Sequence, residues 1–376
     1  MNKINCSPPD KDLFEHRVLP ALYISVFVIG LVLNVWGMKS LLHNWKKFQH
    51  INIFVLNLGL ADIMYLLTLP FLIVYRLKGN KWMFGDRFCK VTRFCYNLNL
   101  YGSIGFLTCI SVYRYLAVVH PIRTRGRLTT IHSVVISAIV WILETNGSLE
   151  MDSARYLSIV HPMRTLGKLT TTHSVVISAI VWILVSVQSL PDMFYPKTYP
   201  NGSKCFDTTS NEHINSYLDY TIAWTIFGFC IPFVTIVGCY GHVTVVICRS
   251  NMMKKDQKRQ ILKLMALLIL LFSLCYAPYH IFKNLSLYSR VLRKQGTCPQ
   301  WDSGVFIARQ VSRGLVSLHN ALNPLVYLCL HEEMVSQFRQ LLRGGHQIFI
   351  RRFKSKSSSV PVPQAEQEVE MIYDSK

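Results

Sequence analysis

The sequence predicts an all-α protein, a bundle of seven membrane-spanning helices followed by a short amphipathic helix. Three observations carry this reading: apolar runs long enough to cross a bilayer, too little charge for a water-facing surface, and basic residues gathered between the runs. The 376 residues are 51% hydrophobic and 16% charged, where soluble domains carry about 25% charged residues. Forty basic against 20 acidic residues give a net charge of +20. On a soluble chain that excess would point to nucleic acid. Here the basic residues flank apolar runs instead of forming a stripe, so the expected partner is the lipid bilayer and not a nucleic acid polymer.

Residues 1–17 hold no apolar core ahead of a small-residue cleavage site, so they are expected to form an extracellular N-terminus, not a cleaved signal peptide. A hydrocarbon core of about 30 Å takes about 20 apolar residues in helical form. Runs of that kind fall at about 18–43, 52–77, 86–118, 173–195, 215–248, 260–288 and 303–330, which sets a seven-helix domain over 18–330. Backbone groups in lipid must be satisfied within the segment, so each run is a helix despite Pro70, Pro191, Pro232, Pro278 and Pro324. Residues 331–344 place Met334, Phe338, Leu341 and Leu342 on one face, as a helix lying on a membrane surface does. Residues 345–376 have the composition of a disordered cytoplasmic tail.

Lys46, Lys47, Arg123, Arg125, Arg127, Arg249, Lys254, Lys255, Lys258, Arg259, Arg339 and Arg343 all fall on one side of the runs. That side is expected to be cytoplasmic, with the N-terminus outside and the chain a multi-pass protein of the plasma membrane. The opposite loops are basic as well, through Lys78, Lys81, Lys197, Lys204, Arg290, Arg293 and Lys294. The topology rule does not require these, so they call for another cause.

Residues 114–143 and 155–184 are nearly identical, offset by 41 positions. Two copies do not make a solenoid. The apolar stretch of the first copy, Val134 to Leu143, is cut off by Glu144 and covers only about 15 Å. The second continues to Tyr195 and is long enough to span. Residues of about 123–165 are therefore expected to form a duplicated inner-loop insert.

A series of landmarks then resembles the class A, rhodopsin-like G-protein-coupled receptors. These are Asn34 in the first span, Leu58-Gly-Leu-Ala-Asp62 in the second, and Tyr113-Arg114-Tyr115 at the inner end of the third. Trp182 follows in the fourth, Pro232 in the fifth, Phe272-Ser-Leu-Cys-Tyr-Ala-Pro278 in the sixth and Asn323-Pro324-Leu-Val-Tyr327 in the seventh. Charge inside a bilayer is costly, so Asp62 is expected to face the interior beside Asn34 and Asn323. The resemblance implies that this trio lines a sodium pocket; a hydrogen-bond cluster without an ion is the alternative. It also implies activation and G-protein-coupling roles for Asp62, Arg114, Tyr115, Pro278, Asn323, Pro324 and Tyr327.

Within that class, Trp82-Met-Phe-Gly-Asp-Arg-Phe-Cys89, Leu98-Asn-Leu-Tyr-Gly-Ser, Cys205-Phe-Asp-Thr-Thr-Ser210, Tyr279-His-Ile-Phe-Lys283 and Gln310-Val-Ser-Arg-Gly-Leu315 resemble the purinergic nucleotide receptors, the ADP-responsive type above all. Independently of the resemblance, Arg93, His280, Lys283, Arg290, Arg309, Gln310 and Arg313 lie in the outer third of spans three, six and seven. Cations at that depth line a wet cavity or meet an anion, and arginine forks suit phosphate oxygens. Tyr75 and Tyr101 would offer ring faces to a base or ribose. The resemblance adds Asp207 and Thr208 to the ligand-binding set and implies a bridge from Asp207 to Arg313, so internal pairing is the competing reading of the cations.

Four cysteines in polar segments allow three pairings. The resemblance selects Cys89 with Cys205 and Cys6 with Cys298, in an oxidising compartment. Asn201 heads a glycosylation sequon. The expected function is a receptor for an extracellular anionic small molecule, a nucleotide of the ADP or ATP kind, signalling through a heterotrimeric G protein to phospholipase C and calcium. A dicarboxylate or lipid acid is the alternative ligand. A transporter would show inverted halves, a channel a filter or charged rings, and an enzyme a recognisable catalytic constellation. None of these stands out, so neither catalysis nor a cofactor is expected.

Overall fold

The computed structural model describes residues 17–43, 51–119, 171–198, 204–249 and 255–328. The expected inner-loop insert 123–165, the surface helix 331–344, the tail 345–376, and both Cys6 and Asn201 lie outside the described residues. The chain divides into two compact units, Met1–Val326 and Tyr327–Lys376, and the contacts described below lie within the first.

Joined where one helix runs into the next, the described helices are α1 (Leu19–His43), α2 (Ile51–Leu77), α3 (Gly85–Val119), α4 (Thr171–Phe194), α5 (Ile214–Arg249), α6 (Lys255–Lys294) and α7 (Asp302–Leu328). Among the described residues the extended pairing is limited to one antiparallel bridge, Thr198 to Cys205. Helix α4 is built from the second copy of the duplicated segment.

The exposure pattern is that of a protein in lipid. Val32, Ile183 and Val234 leave 63%, 62% and 69% of their surfaces uncovered, while Asp62, Asn34, Asn320 and Asn323 are fully buried. In water that inversion would be destabilising; in a bilayer it puts apolar side chains against acyl chains and polar ones against each other. Helices α1, α2, α4, α5 and most of α6 are long and apolar enough to cross a membrane. Helices α3 and α7 carry the inward polar residues instead, among them Arg93, Asn97 and Asn99 on one and Arg309, Gln310, Arg313 and Asn323 on the other.

Two local features set how closely the helices approach. Helix α2 breaks at Leu67 and Thr68, where Thr68 Oγ1 donates to the Tyr65 carbonyl at 2.7 Å, and resumes with Pro70 in its first turn. Helix α5 widens into a π turn over Ile226–Cys230 just ahead of Pro232. A proline ring collides with the carbonyl four residues back, here that of Gly228, and the wider turn relieves the collision. Gly228 also permits close packing: a Cβ there would lie 2.5 Å from Gln188 Nε2 in α4 and 2.7 Å from Tyr101 in α3. Between α2 and α4, the Trp182 indole donates to Asn57 Oδ1 at 2.8 Å.

Candidate ligand site

Cys89 at the start of α3 is disulfide-bonded to Cys205, which lays the segment after Cys205 across one end of the bundle. That segment is held at nearly every residue. Arg93 donates from Nη2 to the Cys205 carbonyl and from Nε to the Phe206 carbonyl, both at 3.1 Å. The Phe206 amide donates to the Lys197 carbonyl at 2.6 Å. Arg290 of α6 donates to Thr208 Oγ1 at 2.8 Å, to the Thr209 carbonyl at 2.8 Å and to Asn211 Oδ1 at 2.7 Å. Cys298 is disulfide-bonded too.

The Asp207 side chain points to α7. Its Oδ2 accepts from Arg309 Nη2 at 2.5 Å and from Arg313 Nη1 at 3.1 Å, so the expected bridge to Arg313 is shared with a second arginine one turn away. Burial alone would raise the Asp207 carboxyl, but the guanidiniums of Arg309, Arg313 and Arg93 outweigh it and hold the group well below the usual carboxylate range. Arg309 also donates to Ser286 at 3.2 Å, and Arg313 lies over the Tyr96 ring at 5.0 Å.

One carboxylate does not exhaust these cations. Arg93 Nη1 and Arg309 Nε are buried donors without an acceptor, and both ring nitrogens of His280 are buried without a partner. Lys283 is buried and its Nζ lies 5.8 Å from the centre of the Tyr279 ring. His280 stacks on Phe229 at 4.7 Å and stands 5.9 Å from Tyr101. Gln310 is buried with Oε1 unpartnered, and Tyr75 packs edge-on against Trp82 at 5.6 Å. The expected residues thus gather around α3, α6, α7 and the loop, although Arg290 is engaged with the loop and the two tyrosine rings are largely covered.

The excess of basic loop residues finds part of its cause in internal pairs. Lys197 is fully buried on Asp192 at 2.6 Å, Arg293 pairs with Asp302 at 3.4 Å, and Lys294 donates to the Glu212 carbonyl at 3.5 Å. Asp192 also accepts from Tyr217 at 2.7 Å and Asn97 at 3.0 Å. Sequence reasoning missed this cluster; its signal was an acid next to Pro191 at the end of an apolar run, which needs a counter-charge nearby.

Deeper in the bundle, Asp62 accepts from Asn323 at 2.8 Å and from Asn99 at 2.8 Å. Asn320 donates to Asn99, and Tyr276 donates to Asn320 at 3.4 Å. Asn34 contacts the Gly30 and Asn320 carbonyls at 2.9 and 3.3 Å, so it joins the cluster through α7 and not through Asp62. At the far end, Tyr115 and His242 Nδ1 share a hydrogen bond of 3.2 Å, and Arg114 is half-buried within electrostatic range of Tyr240. Pro278 and Pro324 lie inside α6 and α7. The side chain of Tyr327 is outside the described residues.

The sequence pattern of the family described as 7 transmembrane receptor (rhodopsin family) matches twice, over residues 30–151 and 149–327. The chain belongs to that family. The second match begins between the two copies of the repeated segment. Purinoceptor 1 of Gallus gallus is 33% identical over 317 residues, covering 84% of this chain and 76% of the relative. Purinoceptor 1 of Homo sapiens is 31% identical over 350 residues, 92% of this chain and 83% of the relative. Purinoceptor 4 of Xenopus laevis is 28% identical over 346 residues, 90% of this chain and 56% of the relative. The chain is therefore a rhodopsin-family receptor of the purinoceptor branch, a multi-pass membrane protein and not an enzyme. In this family the end bearing Cys205 becomes the candidate ligand end and the end bearing Arg114 the candidate G-protein end.

Proposed function

We propose that this receptor binds an extracellular nucleotide of the ADP or ATP kind at the Cys205 end and signals through a heterotrimeric G protein of the phospholipase C type. The observation that carries the reading is the surplus of positive charge. Arg93, Arg309 and Arg313 act on one carboxylate, Asp207, and Arg93 Nη1, Arg309 Nε and both ring nitrogens of the neighbouring His280 are buried without a partner. Buried donors are normally satisfied, and a phosphate chain supplies acceptors in the number and charge required. The similarity to the purinoceptors supports the same ligand class.

Phosphate oxygens engage Lys283, Arg290, Arg309 and Arg313, with Arg93, His280, Gln310, Thr208 and Asp207 completing the site and Tyr75 and Tyr101 facing the nucleoside. Ligand contacts to α6 and α7 together favour the state in which their ends approach. Pro278 and Pro324 act as pivots, and the opposite end of α6 opens beside Arg114 and Tyr115 for a G-protein helix. The receptor resides in the plasma membrane with its N-terminus and a glycan on Asn201 outside. Cys6 is the proposed partner of Cys298. The Asp62 cluster fits a sodium ion, because Asn34 Oδ1 and Asn323 Oδ1 are buried oxygens without a hydrogen-bond donor.

A calcium-mobilisation panel of ADP, ATP, UDP, succinate and oxoglutarate, run on cells whose N-terminally tagged receptor stains at the surface, tests the ligand. A response to ADP or ATP at the lowest concentration is expected. A response to a dicarboxylate alone, with the nucleotides silent, overturns the assignment.

A further inference from the structure

The segment carrying Asp207 is also gripped by a residue outside the proposed ligand set. Lys197 is fully buried; its Nζ donates to Asp192 Oδ1 at 2.6 Å and to the Thr208 carbonyl at 2.5 Å. Its own carbonyl accepts the Phe206 amide at 2.6 Å. The two contacts fall on the residues immediately before and after Asp207. Asp192 is in turn fixed by Tyr217 of α5 and Asn97 of α3, and the Lys197 ammonium lies 5.0 Å from the centre of the Tyr217 ring.

A lysine that served only to solvate the loop would extend into water. A buried ion pair is costly to desolvate and contributes little net stability against an apolar pair of the same size. What this pair does supply is geometry. Helices α3 and α5 hold Asp192 of α4, Asp192 holds Lys197, and Lys197 holds the backbone on both sides of the carboxylate that Arg309 and Arg313 share.

We infer that Lys197, anchored by Asp192, is a positioning residue that sets Asp207 over the two α7 arginines and so tunes ligand affinity without touching the ligand. This rests on the reading that Arg309 and Arg313 meet the ligand's anionic groups. Arginines whose forks are fixed in advance bind an anion without first being ordered, so loosening the clamp weakens binding.

Lys197→Met removes the donor and keeps the stem. Hydrogen–deuterium exchange on the purified receptor is expected to speed up by about fivefold or more over residues 204–211 while α1 and α7 keep their rates. Unchanged exchange over that segment overturns the proposal whatever the ligand is. In dose-response curves at matched surface level, Lys197→Met is expected to lower potency by about tenfold with the maximal response retained. On an Asp207→Asn background the same change is expected to shift potency by less than about threefold, because both act through one carboxylate. An equal shift on both backgrounds overturns the proposal. If the unpaired Asp192 keeps Lys197→Met inside the cell, Asp192→Asn with Lys197→Met removes both charges and carries the same comparison; failure of that pair to reach the surface assigns the cluster to folding alone and overturns the positioning role. A wild-type receptor silent to every nucleotide marks failure of the ligand reading, and leaves the exchange result standing on its own.

Discussion

Arg309 Nη2 lies 2.5 Å from Asp207 Oδ2, which ties α7 to a loop residue 102 positions earlier in the chain. Arg313 shares the same oxygen at 3.1 Å. With Asp207 and Ser286 engaged, Arg309 Nε is still buried without an acceptor, the arrangement expected of a group that also meets an incoming anion.

Substituting Arg313 by alanine is expected to weaken agonist potency by about tenfold or more, since a charge-assisted contact contributes about 1.5–3 kcal/mol. Arg309→Ala is expected to act in the same direction, and the double variant to lose less than the sum because the two share Asp207. An unchanged dose-response curve at normal surface expression would remove either residue from the site.

Asp207 gives a prediction in pH. A carboxyl whose folded pKa is depressed contributes stability above its unfolded value of about 3.9 and loses it as pH falls through the folded value. Because the folded value lies well below the usual range, the carboxylate stays charged through the mildly acidic range. The difference in thermal midpoint between the purified receptor and its Asp207→Asn variant should stay flat from about pH 8 to about pH 5 and shrink only below about pH 4. It will be modest, as the side chain is 26% exposed and screened by solvent. A difference that disappears near neutrality would mean that the guanidiniums do not hold the group.

Cys205→Ser opens a link spanning 116 residues and is expected to cost about 2–5 kcal/mol, read as lost surface staining and a lower thermal midpoint. The matching control is Cys95→Ser, a half-buried free thiol, with an expected cost below about 1 kcal/mol. Equal losses from the two would separate the disulfide from stability.

For Asp62, sodium chloride compared with choline chloride at equal ionic strength is expected to raise the thermal midpoint of the wild type and leave Asp62→Asn unmoved. Equal shifts in both would assign the cluster to hydrogen bonding alone. Asn99→Ala, which strips the 2.8 Å donor from Asp62 Oδ1, is expected to destabilise by about 1–3 kcal/mol.

The sequence by itself determined the all-α class, because lipid forces a long apolar run to satisfy its own backbone and so to be helical. It also determined that Asp62 and the cations of α3, α6 and α7 need polar surroundings, since charge among apolar neighbours is costly. Only the tertiary structure decided how those charges are shared. Arg290 turned to the loop, Asn34 reached α7 through a carbonyl, and Lys197 went inward to Asp192. Partners more than a hundred residues apart, such as Asp207 with Arg309 and Arg313, leave no periodicity in the chain; their pairing depends on which helix faces meet and on the Cys89–Cys205 link that holds the loop beside them.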